Sequence, residues 1–137
     1  MAERRKNTSF RKLLSEYVDK QSEYVTNEED CRYWFDAINE ELFGKELPLT
    51  PFAFKWLRVC WAYYEYFPRT PDKPERIVMH KRYPSKLVFI ECLAHEMIHH
   101  WQYKKLGWRK VDHNDEFFVW CKKAKDIGLR LDKEQGE

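Results

Sequence analysis

The segment LAHEMIHHWQ, residues 93–102, carries three of the chain's five histidines, with a glutamate among them. His95 and His99 stand four residues apart, so on a helix both side chains project from one face, a turn apart. Two imidazoles placed that way can hold one metal ion. Glu96 is displaced around the helix, where it can reach a water beside that ion without being a ligand. This is the HExxH arrangement: two imidazoles for zinc and a carboxylate for proton transfer. The plain alternative is a helix whose histidines are exposed or packed in a core. A third ligand separates the two readings, because a catalytic zinc takes three protein ligands and leaves a fourth position for water.

Three downstream positions bear on that ligand. A histidine at 105 would complete the metzincin pattern, but Lys105 stands there, and Gln102 occupies the place of that motif's glycine. Glu116 is the candidate if the ligand is a carboxylate. His113, in DHNDEFF (112–118), is the stronger candidate. It follows a break at Gly107 and precedes the last helix, so the connection is long enough to fold back beside His95 and His99. Among the neighbours, Glu91 reads either as an acceptor orienting a ligand or as a surface ion-pair partner. Cys92 reads as a small core residue, since a fourth protein ligand would close the site. Met97, Ile98 and Trp101 read as packing residues. Tyr103, His100 and His80 are the candidates to stabilise an oxyanion, and sequence does not choose among them.

Outward from this segment, Ser85 is the expected N-cap of a long helix running to Leu106 and closed by Gly107. A last helix begins at Asn114 or Asp115, with Phe117, Trp120, Cys121, Ala124 and Ile127 as its buried stripe. Upstream, FAFKWLRV (52–59), WAYYEYF (61–67) and RIVMH (76–80) are aromatic and β-branched runs that read as strands. Arg58 to Cys60 would lie in the turn between the first two, and PRTPDKPE (68–75) is a proline-rich loop. If RIVMH forms the sheet edge above the cleft, a substrate peptide can add to it as a strand. Before LPLTP (47–51), a helix capped by Thr26 and Glu29 buries Cys31, Trp34, Phe35, Ile38 and Leu42 and ends at Gly44. Another helix over residues 8–25 follows from the spacing of Phe10, Leu13, Leu14, Tyr17, Val18 and Val25. Strands grouped together, with helices before and after, make an α+β domain.

Composition agrees with one packed domain over residues 1–137, in which 43% of residues are apolar and 17% aromatic. It divides into a helical extension (1–25), a core (26–128) and a tail (129–137), whose end LDKEQGE (131–137) frays. Four glycines are too few for a Gly-rich phosphate cradle. The four cysteines lie about 30 residues apart with no CxxC pair, which excludes a zinc ribbon and suits reduced, buried thiols of a cytosolic protein. There is no apolar run of membrane-spanning length, and no signal peptide is expected after the basic start. A cytoplasmic monomer follows, or a nucleoid-associated or nuclear one if it works on DNA. Charge is unevenly spread: residues 1–12 carry net +4, 13–51 net −7 and 52–86 net +5. The last of these could meet a polyanion. Arg69, Lys73, Arg76, Lys81 and Arg82 would contact DNA phosphates. Tyr63, Tyr64 and Tyr66 would stack on unpaired bases or, the blander reading, pack in the sheet.

The combination of HEMIH (95–99) with HNDEF (113–117) resembles the SprT-like family of zinc metalloproteases, which includes the Spartan proteases that digest DNA–protein crosslinks. That family pairs HExxH with H-G-x-x-F. Here Asn114 takes the glycine's place, and asparagine is among the few residues that tolerate positive φ. YWFDAINEELFGKELP (33–48), FKWL (54–57) and YYEYF (63–67) resemble the family's entry helix and first strands. The likeness covers about residues 30–128 and leaves the first helix outside it. It implies a zincin-like domain with a small three-stranded antiparallel or mixed sheet on the HExxH helix. It implies zinc held by His95, His99 and His113, and Glu96 as the general base for peptide hydrolysis. The implied substrates are DNA-associated or DNA-crosslinked proteins, with DNA, single-stranded or at a junction, as partner. The competing reading is a non-catalytic module binding zinc or nucleic acid. Glu96 favours the enzyme, because a structural metal site has no use for a base.

Overall fold

The computed structural model describes residues 2–18, 22–70 and 72–132. The elements are α1 (Ala2–Val18), β1 (Tyr24–Val25), α2 (Glu28–Phe43), β2 (Phe52–Lys55), β3 (Ala62–Glu65), β4 (Arg76–His80), β5 (Arg82–Tyr83), α3 (Lys86–Leu106), a 3-10 turn (Trp108–Lys110) and α4 (Asp115–Asp126). This is the α+β arrangement expected, with a small mixed sheet and α3 at its centre.

The order of the sheet differs from the sequence reading. β4 is the middle strand, not an edge: β2 lies parallel to it on one side and β3 antiparallel on the other. Ile77, Val78 and Met79 are all fully buried. Three consecutive buried apolar residues mean that both faces of the strand are covered, which is the mark of a central strand. β2 and β3 therefore form no hairpin, and the segment between them crosses from one edge of the sheet to the other. A peptide adding to this sheet would have to use β2 or β3. A second, two-stranded sheet pairs β1 with β5, Tyr24 opposite Tyr83. It takes Val25 out of the first helix, which ends at Val18. Most of the expected tail, residues 133–137, lies outside the described residues.

Local chemistry sets the helix ends. Asn27, not Thr26, caps α2, its side chain accepting from Asp30 N at 2.8 Å. Thr26 instead donates from Oγ1 to the His80 carbonyl at 2.7 Å, tying β1 to the end of β4. Gly44 closes α2 at φ 61°, where a side chain would be strained. Just beyond it the buried Asn39 amide holds both backbone groups of Leu47, at 2.8 and 3.1 Å. Ser85 caps α3 through Val88 N, as the sequence suggested. Residues 92 to 100 of α3 are buried without a break. Such a helix is packed on every side and is not amphipathic. The sheet, α2 and α4 surround it, with Trp101 against Trp120 and Phe35 against His100.

α1 is part of this core. Phe10 and Leu14 are buried, and Phe10 and Tyr17 meet Trp34 of α2 edge-on. The Arg11 guanidinium donates to the Asp126 carbonyl at 2.8 Å, at the end of α4 where helical carbonyls lack helical partners. No disulfide joins the cysteines; Cys31 and Cys92 are buried, while Cys60 and Cys121 are only half-buried. Because Leu14 packs in the core, Leu14→Ala should cost about 2–5 kcal/mol in urea denaturation. An unchanged midpoint would mean that α1 is an appendage.

Candidate metal centre

α3 delivers two imidazoles and the chain's return delivers the third. His95 and His99 are fully buried on α3, and half-buried His113 lies between the 3-10 turn and α4. One ligand nitrogen from each can be chosen so that all lie within 4.8 Å of one another. His95 Nε2 and His113 Nε2 are 3.2 Å apart. The histidine chosen from sequence as third ligand thus reaches the pair, while Glu116 is exposed and outside the group.

The return depends on a few residues. Gly107 ends α3 at φ 100° and turns the chain, its N–H donating to the Gln102 carbonyl at 3.0 Å. Asn114 caps α4, accepting from Phe117 N at 3.1 Å and donating to the Lys110 carbonyl at 3.0 Å. Its φ is −102°, so it stands here for its side chain and not for tolerance of positive φ. One turn on, fully buried Phe117 touches all three imidazoles. Its ring lies 4.8 Å from His95, 5.1 Å from His99 and 4.8 Å from His113 between centroids, nearly parallel to His99. Phe117 is thus the apolar floor of the cluster, a role its place in a buried stripe does not reveal.

Glu96 is fully buried beside the cluster, with Oε2 3.9 Å from His95 Nε2. It is not one of the three grouped residues. The arrangement leaves a carboxylate next to three imidazoles, which is what proton transfer at a metal site requires.

The remaining candidates fall elsewhere. Glu91 accepts the Arg130 backbone N–H at 2.8 Å, and burial raises its pKa. It fastens the C-terminal segment to α3, neither orienting a ligand nor forming a surface ion pair. Burial drives the Cys92 thiol well above its ordinary pKa, which suits a core residue and not a thiolate ligand. His100 Nε2 lies 2.8 Å from the Pro48 carbonyl, so it donates there, and Nδ1 accepts from the Tyr64 hydroxyl at 2.8 Å. Burial lowers its pKa and keeps it neutral. His80 is similarly committed, to the Leu57 carbonyl at 3.2 Å and the Arg82 N–H at 3.1 Å. Tyr103 packs against Tyr64 and Tyr66. Both histidines among the three oxyanion candidates therefore have their nitrogens engaged away from the cluster, and Tyr103 belongs to an aromatic group on the sheet side.

The donor set fits a metal ion. Two imidazole nitrogens 3.2 Å apart cannot turn lone pairs at each other without a proton or a cation between them. Around a tetrahedral ion with metal–nitrogen bonds of about 2.0–2.1 Å, ligand nitrogens lie about 3.3 Å apart. The family model for the SprT-like family matches residues 31–135. The chain belongs to the SprT-like family. No curated protein matches it. The SprT-like match takes in α2 from Cys31 onward, strands β2 to β5, α3 and the segment carrying His113 and Phe117, and leaves α1 and β1 outside. Membership and the three-histidine group together describe a metalloprotease-type domain.

Because Phe117 supports all three rings, Phe117→Ala should cost about 3–5 kcal/mol. Val119, 52% exposed on the same helix, should tolerate alanine to within about 0.5 kcal/mol. Thermal unfolding of the two variants side by side checks the contrast, and equal losses would refute it.

Proposed function

We propose that the protein is a zinc-dependent endopeptidase acting on proteins associated with or crosslinked to DNA. The observation that carries this reading is the meeting of His95, His99 and His113 beside a buried Glu96 that is left outside the ligand group. Three neutral imidazoles suit zinc, and three protein ligands leave a position open. A bound zinc ion supplies a Lewis acid and lowers the pKa of the water it holds to about 7. Glu96 takes the proton as the water oxygen adds to the scissile carbonyl carbon. It then gives that proton to the departing amine nitrogen as the carbon–nitrogen bond breaks. The buried setting of Glu96 and the Phe117 ring keep bulk solvent from competing with that transfer. Between the two edge strands, β3 is the one that packs on α3, through Tyr64 against His100 and Tyr103. Its outer edge is the place for a substrate peptide to pair by backbone hydrogen bonds.

The DNA part of the proposal rests on charge and exposed rings in residues 52–86. Arg69, Lys73 and Lys81 are exposed. Arg76 and Arg82 are engaged by Glu65 and Glu23. Two of the three tyrosines fit this role poorly, Tyr64 being buried and Tyr66 packed against Tyr103, while Tyr63 is half-buried with its hydroxyl 3.5 Å from Lys55 Nζ. Trp56 and Trp61 fit it better, being 62% and 37% exposed with Arg82 over the Trp56 ring. Aromatic faces beside cations support stacking with unpaired bases. We further propose that it works as a monomer in the cytoplasm, on the nucleoid or in the nucleus.

Wild type should bind one zinc per chain and cleave a basic protein, and a chelator should abolish cleavage until zinc is returned. Glu96→Gln should keep the zinc and lose about 10²–10⁴-fold in turnover. Zinc binding with no cleavage by wild type would favour the non-catalytic module. Single-stranded DNA should stimulate the reaction, with the stimulation fading steeply as salt rises. Cleavage indifferent to DNA and salt would leave a peptidase with no link to nucleic acid.

A further inference from the structure

We infer that Gln102 is a positioning residue that locks His99 and the His113 segment into one unit, an inference that rests on the metal reading above. Gln102 is fully buried. Its Oε1 lies 2.8 Å from His99 Nδ1 and 3.3 Å from Asp112 N. Its Nε2 lies 3.0 Å from the Asp112 carbonyl and 2.9 Å from Asn114 Oδ1. Those four bonds use the whole capacity of a side-chain amide, two hydrogens and two lone pairs.

The pattern fixes every orientation from the backbone outward. Asn114 Oδ1 accepts the Phe117 N–H, so it is an oxygen and can only accept from Gln102. The Asp112 carbonyl can also only accept. The Gln102 nitrogen must therefore face these two, and its oxygen must face the Asp112 N–H and His99 Nδ1. An oxygen there requires His99 Nδ1 to carry the hydrogen. His99 Nε2 is left with its lone pair, and on a metal-binding histidine the partner of the other nitrogen decides which one can ligate.

The same amide grips the residues on both sides of His113, Asp112 through its two backbone groups and Asn114 through its side chain. His113 is thus held at both neighbours by a residue one turn from His99. Gln102 sits where a metzincin has glycine, and Asn114 sits where the SprT-like motif has glycine. The residue that replaces the SprT-like glycine is thus a hydrogen-bond partner of Gln102. Glutamate at 102 would turn a carboxylate oxygen towards two carbonyl oxygens. Methionine would fill the space but leave the Asp112 backbone groups without their partners.

The test is zinc affinity of the full chain by chelator competition, with thermal unfolding of each metal-free variant as control. Gln102→Met and Gln102→Glu should weaken zinc binding by about 10–100-fold, the usual effect of removing a hydrogen-bond partner of a ligating histidine. Asn114→Ala should weaken it as well. Asn114→Asp keeps an oxygen facing Gln102 and keeps the helix cap but loses the donor to the Lys110 carbonyl, so it should fall between wild type and Asn114→Ala. If the Gln102 variants do not fold, the Asn114 pair carries the test. Nitrogen chemical shifts of His99 in metal-free protein add a readout that a merely structural role would not move: Nδ1–H in wild type, a tautomer mixture in Gln102→Met. Wild-type zinc affinity in Gln102→Met and Asn114→Ala would overturn the inference. A wild type that binds no zinc would defeat the metal reading instead, and the His99 tautomer would then decide the role of Gln102.

Discussion

Three imidazoles meeting in the interior of a small domain is the constraint on which the rest of the structure depends. Burying polar rings is costly unless their nitrogens have partners, and a helix can contribute only two rings to one point on its face. The third must come from a segment that leaves the helix, reverses and is held against it. Gly107 makes the reversal, Gln102 and Asn114 hold the returning chain, and Phe117 fills the space under the rings. None of these is a ligand, yet each limits where His113 can be.

The burial of α3 follows from the same requirement. A helix with one face to solvent would leave His95 or Glu96 wet, and water would weaken the electrostatic interactions between them. Covering α3 takes a sheet on one side and helices on the others. The sheet supplies β4, buried on both faces, and β3, whose Tyr64 hydroxyl donates to His100 Nδ1 and holds that ring turned away from the cluster. His100 is thus kept apart from its neighbour His99 by a structural bond, although the two are adjacent in sequence.

Much of this is legible in the sequence wherever the signal is local. The i, i+4 histidines, the Ser85 cap, the Gly44 stop and the Gly107 break are all decided within a few residues, and the structure places each as read. His113 was legible because it is the one histidine that follows the helix. Strand order was not, since β4 pairs with residues 25 positions away in β2 and 11 to 17 away in β3, and the run FAFKWLRVCWAYYEYF reads naturally as a hairpin. Ile77, Val78 and Met79 did carry the signal of a central strand. β1 and β5, two residues each, are too short for any periodicity. The role of Gln102 was hidden because it arises from bonds to residues 10 and 12 positions away, across a turn.

α4 extends the constraint to the far side of the molecule. Its first residues follow His113 and Asn114, and Phe117 sits in its first turn, so any tilt of α4 moves the floor of the cluster. Its last carbonyls are held by Arg11, and Leu14 closes against Gly128 just beyond it. The first helix lies outside the family match, yet it anchors the helix that follows His113 and carries Phe117. A helix is stiff over 12 residues, so fixing its far end fixes the direction in which its near end points. The extension is therefore better understood as part of the support for the metal centre than as an addition to a complete core.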